Sequence, residues 1–307
     1  MKKILLSLIA TLCALSSHAQ TIEVFRNGKS IATYTNTPNE HYKVKFYSTG
    51  DYDHINGHEY VIIGGLKWAT MNVGATTVAE SNTTAFGDFY AWGEIDTYYK
   101  SYTDTSVSWY KKTEITHIPG SKFSHNWPNY SDNNVFKEWN PVPYDNNYQL
   151  TADYDVARKE WGGTWRIPTK EEFKNLYDAC VDEKYSSINS STTFAELKPL
   201  PDNGNITEGG IYGVPRNSTV DGYPYNVAGV IFVVKEDPNQ RIFFPAAGII
   251  QLTDRKSVGT QGTYWSATGY PQTPSTSYTL YLSKERGISL NQILSRCNGY
   301  SIRPVSN

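Results

Sequence analysis

The chain alternates apolar and polar residues in short bursts broken by Gly, Asn and Pro, and only two stretches carry a helical period. "TIEVFRNGKSIATYTN" predicts a β-hairpin, in which Ile22, Val24 and Phe25 lead into Asn27-Gly28 and Ile31, Ala32 and Tyr34 follow. Asn-Gly favours a two-residue turn because both residues tolerate positive φ. "HYKVKFYS" alternates again, with Tyr42, Val44 and Phe46 on one face. A second pair, Asn56-Gly57, sets "DYDHI" against "HEYVII" as another hairpin. From about residue 75 to 150 the pattern weakens into polar and aromatic runs such as "KFSHNWPNYSDNNVFKEWNPVPYDNNY". A long irregular region in a compact domain is either functional or disordered, and this density of aromatics argues against disorder.

The two helical stretches are adjacent. Thr151 is placed to cap "ADYDVARKEW", where Val156, Ala157, Glu160 and Trp161 share a face and Gly162 supplies the stop. Thr169 and Glu172 form a T-x-x-E capping box. Phe173, Leu176, Tyr177 and Cys180 then follow the i, i+3, i+4, i+7 spacing of a buried stripe. Glu171 points away from that stripe. After a Ser, Asn and Gly-rich interval, the last third reads as strands and turns: "VAGVIFVVKED", "QRIFFPAAGII", "GTYWSATG", "SYTLYLS" and "GYSIRPV".

The first 19 residues stand apart. Lys2 and Lys3 precede an apolar run from Ile4 to Leu15, and "SHA" gives small residues before Gln20, the form of a secretory signal peptide. The run is too short for a membrane span. Removing these 19 from 307 residues leaves 288. Removing Lys2 and Lys3 from 28 basic residues leaves 26 against 30 acidic ones, a net charge of −4, which excludes a basic nucleic-acid surface. Aromatic content is 14%, led by 24 tyrosines, while charge is only 19%. That balance suits either an aromatic binding surface or half-buried strands. Two cysteines remain beyond the signal, Cys180 and Cys297. In an exported chain an even count favours a disulfide, with two buried free thiols as the alternative.

Taken in order, "YVIIGGLKWATMNVGA", "GDFYAWGE", "WGGTWRIPTKEEF", "RIFFPAAG", "TYWSAT" and "GYSIRPV" resemble the Fibrobacter succinogenes major paralogous domain of exported Bacteroidetes proteins. That family is similar to the C-type-lectin fold of formylglycine-generating enzymes. The resemblance runs from about Tyr60 to Val305. It implies an α+β, C-type-lectin-like domain with two helices, small antiparallel sheets, long irregular loops and a small sheet joining the chain ends. The domain order expected is a signal peptide (1–19), a short β leader (20–50) and the lectin-like domain (51–307). The enzymatic relatives oxidise a substrate thiol through a cysteine pair or a copper-bound cysteine site. Cys180 and Cys297 form no such short motif, so a non-catalytic protein without a cofactor is expected. The Glu-Pro-Asn and Trp-Asn-Asp motifs of calcium-dependent lectins are absent; Glu236-Asp237-Pro238-Asn239 is a loose echo.

Two sets of residues are candidates for ligand contact. In the irregular region these are Trp109, Tyr110, Trp127, Tyr130 and Trp139, which stack on sugars or fill partner pockets unless they pack the loops against the domain. In the last 45 residues they are Tyr270, Gln272, Ser275, Ser277, Lys284, Arg286, Asn291, Gln292, Ser295 and Asn298, between the framework positions Trp265, Tyr278, Leu280, Leu282, Ile288 and Ile302. This segment also resembles the variable C-terminal region of retroelement-diversified proteins. His54 and His58 have a metal-ligand spacing on a helix, but the intervening Asn-Gly predicts a turn. The function expected is a secreted or cell-surface module that binds a glycan or protein outside the cell, such as an adhesin. The alternative is a structural subunit of an envelope or pilus-like assembly. No membrane span and no nucleic acid are expected, and the periplasm is a further location consistent with the signal.

Overall fold

The computed structural model describes residues 54–95, 144–182, 194–251, 254–273 and 276–307, together with the backbone of 20–26, 29–36, 99–106 and 109–115. Trp127, Tyr130, Trp139 and Ser275 lie outside the described residues, as do the side chains of Trp109 and Tyr110. The chain divides into two units, residues 1–48 and 49–307. In the first, β1 (Gln20–Arg26) pairs antiparallel with β2 (Lys29–Asn36), as its alternation predicts.

Among the described residues the larger unit is built mostly from small antiparallel sheets with three α-helices. β3 (His54–Ile55) turns into β4 (His58–Ile63) through Asn56 and Gly57, both at positive φ (49° and 81°), which is the Asn-Gly hairpin the sequence predicts. β5 (Leu66–Ala69) follows, then a single helical turn, α1 (Asn82–Ala85), and the pair β6 (Tyr99–Ser106) and β7 (Trp109–Ile115). The expected ten-residue helix from Ala152 to Trp161 is broken. Ala152–Tyr154 forms a 3-10 turn, Asp155 takes an extended conformation, and α2 is only Val156–Trp161. Asp155 rather than Thr151 caps it, one carboxylate oxygen accepting Arg158 N–H (3.2 Å) and the other Ile167 N–H (2.9 Å). A carboxylate that binds two segments ends a helix more firmly than a threonine hydroxyl that reaches only one.

α3 (Lys170–Cys180) has the predicted capping box and buries Phe173, Leu176, Tyr177 and Cys180. The connector before it gains a pairing that local pattern does not announce. Arg166 donates to both oxygens of Glu172 (2.7 and 2.6 Å) while Glu172 also accepts Thr169 N–H (2.8 Å). Burial pushes the Glu172 carboxyl up, but these donors bring it below its ordinary value. Its charge is fixed in structure, not poised for proton transfer.

The remaining strands are β8 (Gly210–Val214), β9 (Ser218–Val220), β10 (Tyr223–Tyr225), β11 (Gly229–Val233), β12 (Arg241–Pro245), β13 (Ile249–Gln251), β14 (Asp254–Lys256), β15 (Gln261–Gly269), β16 (Thr276–Ser283), β17 (Gly287–Ser295) and β18 (Val305–Ser306). β12-β11-β8 and β15-β16-β17 are three-stranded sheets, and β18-β5-β4-β3 joins the two ends of the unit. β11 is apolar on both faces because both are covered. Ile231 and Val233 pack with Phe86, Phe89 and Phe243, while Val230 and Phe232 pack with Trp68, Phe173 and Phe244. A third cluster gathers Trp92, Trp161, Trp165, Trp265 and Tyr300. Trp165 is wholly buried and its indole N–H donates to Ile55 O (2.8 Å), so the tryptophans around Gly162-Gly163 are core.

The disulfide expectation is overturned. Cys180 and Cys297 are buried thiols not joined to each other and lie in different core clusters, Cys180 at the end of α3 and Cys297 among Phe86, Phe89 and Phe243. Burial raises both thiols, and Cys297 Sγ lies 3.0 Å from Ser295 Oγ.

One half-buried carboxyl makes a pH-dependent contribution. Burial, with Glu160 adding to it, pushes Asp88 up to about 6. The folded state then holds a proton that the unfolded chain releases near pH 4. The stability this contributes is present below pH 4 and lost as pH rises to 6. Asp88→Asn is expected to remove that slope and to stabilise the protein at pH 7.5 by about 1–2 kcal/mol, discounted for partial exposure. Urea melts of both proteins at pH 4 and 7.5 check this; an unchanged difference between the two pH values would refute it.

Candidate functional site

The C-terminal candidates do not form one surface. β15, β16 and β17 are an antiparallel meander, so residues 270–273 after β15 and the 284–286 turn lie at opposite ends of β16, about 23 Å apart by strand rise. Gln272, Lys284 and Arg286 are exposed, and Tyr270, Asn291 and Gln292 are half-buried. Ser277, Ser295 and Asn298 are corrections. They are buried (0%, 8% and 7% exposed) and occupied with internal partners. Ser277 Oγ accepts from Arg296 Nε (2.7 Å), Ser295 contacts Cys297, and Asn298 Nδ2 donates to the Tyr300 hydroxyl (2.9 Å). A half-exposed sheet would have left alternate residues in water, but here successive residues are buried along most of β15 and the first half of β17.

What the fold brings together is an aromatic and cationic surface at the 270–273 end. Residues 144–150 make a tight turn in which Asp145 Oδ1 accepts the N–H groups of Asn147 (2.8 Å) and Gln149 (2.9 Å). The turn forces Tyr148 to φ 60°, a region that aromatic residues seldom occupy, and leaves its ring 37% exposed. Strain of this kind persists where surrounding bonds over-determine it. Here Tyr148 N–H donates to Asp145 O (3.0 Å) and Tyr148 O accepts from Gly269 N–H (2.7 Å).

Beneath Tyr148 the rings form a ladder. Tyr144 stacks on it at 5.6 Å, Trp92 follows at 6.1 Å, and the Arg296 guanidinium lies 3.9 Å from the Trp92 ring centre. Arg296 is 1% exposed, and its Nε donates to Thr276 O (2.9 Å) as well as to Ser277. Burial lowers it to about 10, with Tyr144 opposing, so it stays charged at neutral pH. Gly269 makes room for it, since a Cβ there would lie 2.5 Å from Arg296 Nη2.

A second limb of the surface stands on α3. Lys170 Nζ sits 4.0 Å from the centre of the Tyr278 ring, and Tyr270 meets Tyr278 edge-on at 5.5 Å. Burial lowers the Lys170 ammonium, with Glu171 opposing. Thr268 links the limbs: its hydroxyl donates to Gln149 Oε1 (3.0 Å) and accepts Lys170 N–H (3.0 Å). Sequence reasoning placed Tyr270 here but missed Tyr144, Tyr148, Lys170 and Arg296, and took Tyr278 for framework. The "YDNNY" turn, with tyrosines flanking Asp-Asn-Asn, was the available signal.

The histidine pair has a different use. His58 stacks face to face on Trp161 (3.7 Å, 5°), and His54 Nε2 approaches Glu59 at 3.5 Å. In the Glu236–Asn239 echo, Asp237 Oδ1 is taken up by Asn239 N–H (3.0 Å) in a local turn. Among the described residues no group of three or more His, Cys, Asp or Glu is placed to hold a metal, and no helix is long and apolar enough to cross a membrane. The chain matches no family model, no curated protein and no solved structure.

Proposed function

We propose that this protein is a non-catalytic binding module of C-type-lectin-like architecture, exported by its N-terminal signal, that holds a glycan or protein ligand outside the cell. The observation that carries the reading is the surface of Tyr148, Tyr144, Tyr270, Tyr278 and Lys170, with the buried Arg296 behind it. One exposed ring and three half-buried ones on a rigid base lose little conformational freedom on binding, and the hydroxyls and amides beside them accept and donate to sugar hydroxyls. A glycan suits the surface better than a protein because the rings alternate with Thr268 and Gln149 rather than forming one broad apolar patch. The lectin-like architecture is supported by β18 closing on β5, which brings the domain's ends together as that fold requires. Diversification of the C-terminal segment, on this reading, is confined to its exposed positions Gln272, Lys284 and Arg286 and its half-buried positions Tyr270, Asn291 and Gln292.

One observation favours the second reading, a subunit of an envelope or pilus-like assembly: the β1–β2 hairpin forms a unit apart from the domain. A glycan array with the purified protein tests both. Binding is expected to fall about tenfold in Tyr148→Ala and in Tyr270→Ala, and to be unchanged in Arg286→Ala at the opposite end of the sheet. No binding on the array, with recovery of the protein in a large envelope complex, would replace the first reading by the second.

A further inference from the structure

We propose that a groove between the two three-stranded sheets binds a small aliphatic carboxylate, at a site separate from the tyrosine surface. The groove encloses about 510 Å³, within the range of small-ligand sites, roughly 300–1,000 Å³. Leu197, Pro199, Val230, Phe244 and Leu282 make it apolar, and Gly213 of β8 lines it with no side chain. Its charged lining residues are Lys198, Arg216 and Lys284, and among the described residues no Asp or Glu lines it. The Lys198 ammonium is turned to Glu208 (3.0 Å) and Gly209 O (3.0 Å), outside the groove lining, so the charge the groove offers rests on Arg216 and Lys284. Arg216 is tied through Nε to Asn226 O (3.2 Å), and Lys284 is exposed, with its backbone N–H on Thr260 O (3.0 Å). An apolar trough with Arg216 and Lys284 at its rim is complementary to a chain of methylenes ending in an anion. A neutral or cationic amphiphile gains the same apolar contact but not the charge match.

Gly213 gives the site a plug. An added Cβ would sit 3.5 Å from Leu197 Cδ1, in ordinary contact, and its φ is not in the left-handed region. Gly213→Leu is therefore expected to fill the groove while β8 stays paired.

The test is calorimetric titration of the purified protein with decanoate below its micelle concentration, beside decanol and decyltrimethylammonium. Decanoate is expected to bind saturably and at least tenfold more tightly than the other two. Gly213→Leu is expected to abolish that binding at an unchanged melting temperature. Lys284→Glu should weaken decanoate about fivefold and leave decanol unaffected, which keeps the test decisive even where Gly213→Leu does not fold. Tyr148→Ala should change none of this, so failure of the tyrosine surface and failure of the groove are separate results. The proposal is overturned by a lack of saturable decanoate binding, by equal affinity for decanol, or by decanoate affinity that survives Lys284→Glu unchanged.

Discussion

Arg303→Ala is expected to destabilise the protein by about 4 kcal/mol and to lower its melting temperature by roughly 10 °C. Arg303 is 1% exposed and makes three hydrogen bonds, all to neutral acceptors: Asn72 Oδ1, Ala69 O and Phe243 O, each at 2.9 Å. Its guanidinium also lies 4.6 Å from the Phe244 ring centre. Burial lowers it to about 10, so at neutral pH the core contains a cation solvated entirely by protein dipoles. Truncation leaves three buried acceptors without a donor, at about 1–3 kcal/mol each, plus a cavity. Relief of the desolvated charge offsets part of that, which is why the expected total stays near 4. Arg303→Met keeps the volume and removes the charge, so it should cost about half as much. Chemical denaturation of the three proteins checks the order, and an alanine variant within 1 kcal/mol of the parent would refute the role.

Trp92→Ala should cost a similar amount, about 4 kcal/mol, and should abolish ligand binding as well. The indole is 1% exposed, its N–H donates to Ser266 O (2.8 Å), and its face carries the Arg296 guanidinium. Removing it opens a cavity of the kind that costs about 3–5 kcal/mol and leaves Arg296 buried without its ring. The Trp92 N–H also holds Arg296 O (3.0 Å), so the backbone link survives while the side-chain ladder collapses. Tyr148→Ala, at the exposed end of the same ladder, should lose affinity with little loss of stability. Melting curves and glycan binding measured on both variants separate support from contact. Equal stability losses in the two would contradict this arrangement.

Legibility of the fold followed the range of the interactions. The β1–β2 and β3–β4 hairpins and the capping box of α3 rest on neighbours within a few residues, so the pattern alone predicts them. The break before α2 depends on Ile167 N–H, twelve positions from the Asp155 carboxylate that accepts it, and so local pattern mistook Thr151 for the cap. The buried arginines are further removed still. Arg303 joins β5 to β12 neighbours, and nothing near it in sequence distinguishes it from a surface residue. The same range explains the partial reading of the site. Tyr270 is visible as a turn aromatic, but Tyr148, Lys170 and Arg296 belong to one surface only after three distant segments meet. Ser277, Ser295 and Asn298 were misread because polar side chains in strands suggest water, whereas these satisfy Arg296, Cys297 and Tyr300.

The pairing of β18 with β5 sets an order of events during synthesis. Val305 lies opposite Trp68 and Ser306 opposite Lys67, partners separated by nearly the whole domain. Arg166 on the helix connector also bonds in both directions with Val305 (2.9 Å each). A nascent chain can form the local hairpins early, yet its central strands keep an open edge until residue 306 has left the ribosome. Closure over so long a separation is entropically slow compared with hairpin formation. Until that closure the edge of β5 presents unpaired N–H and C=O groups, the kind of edge that pairs with the wrong chain unless it is shielded.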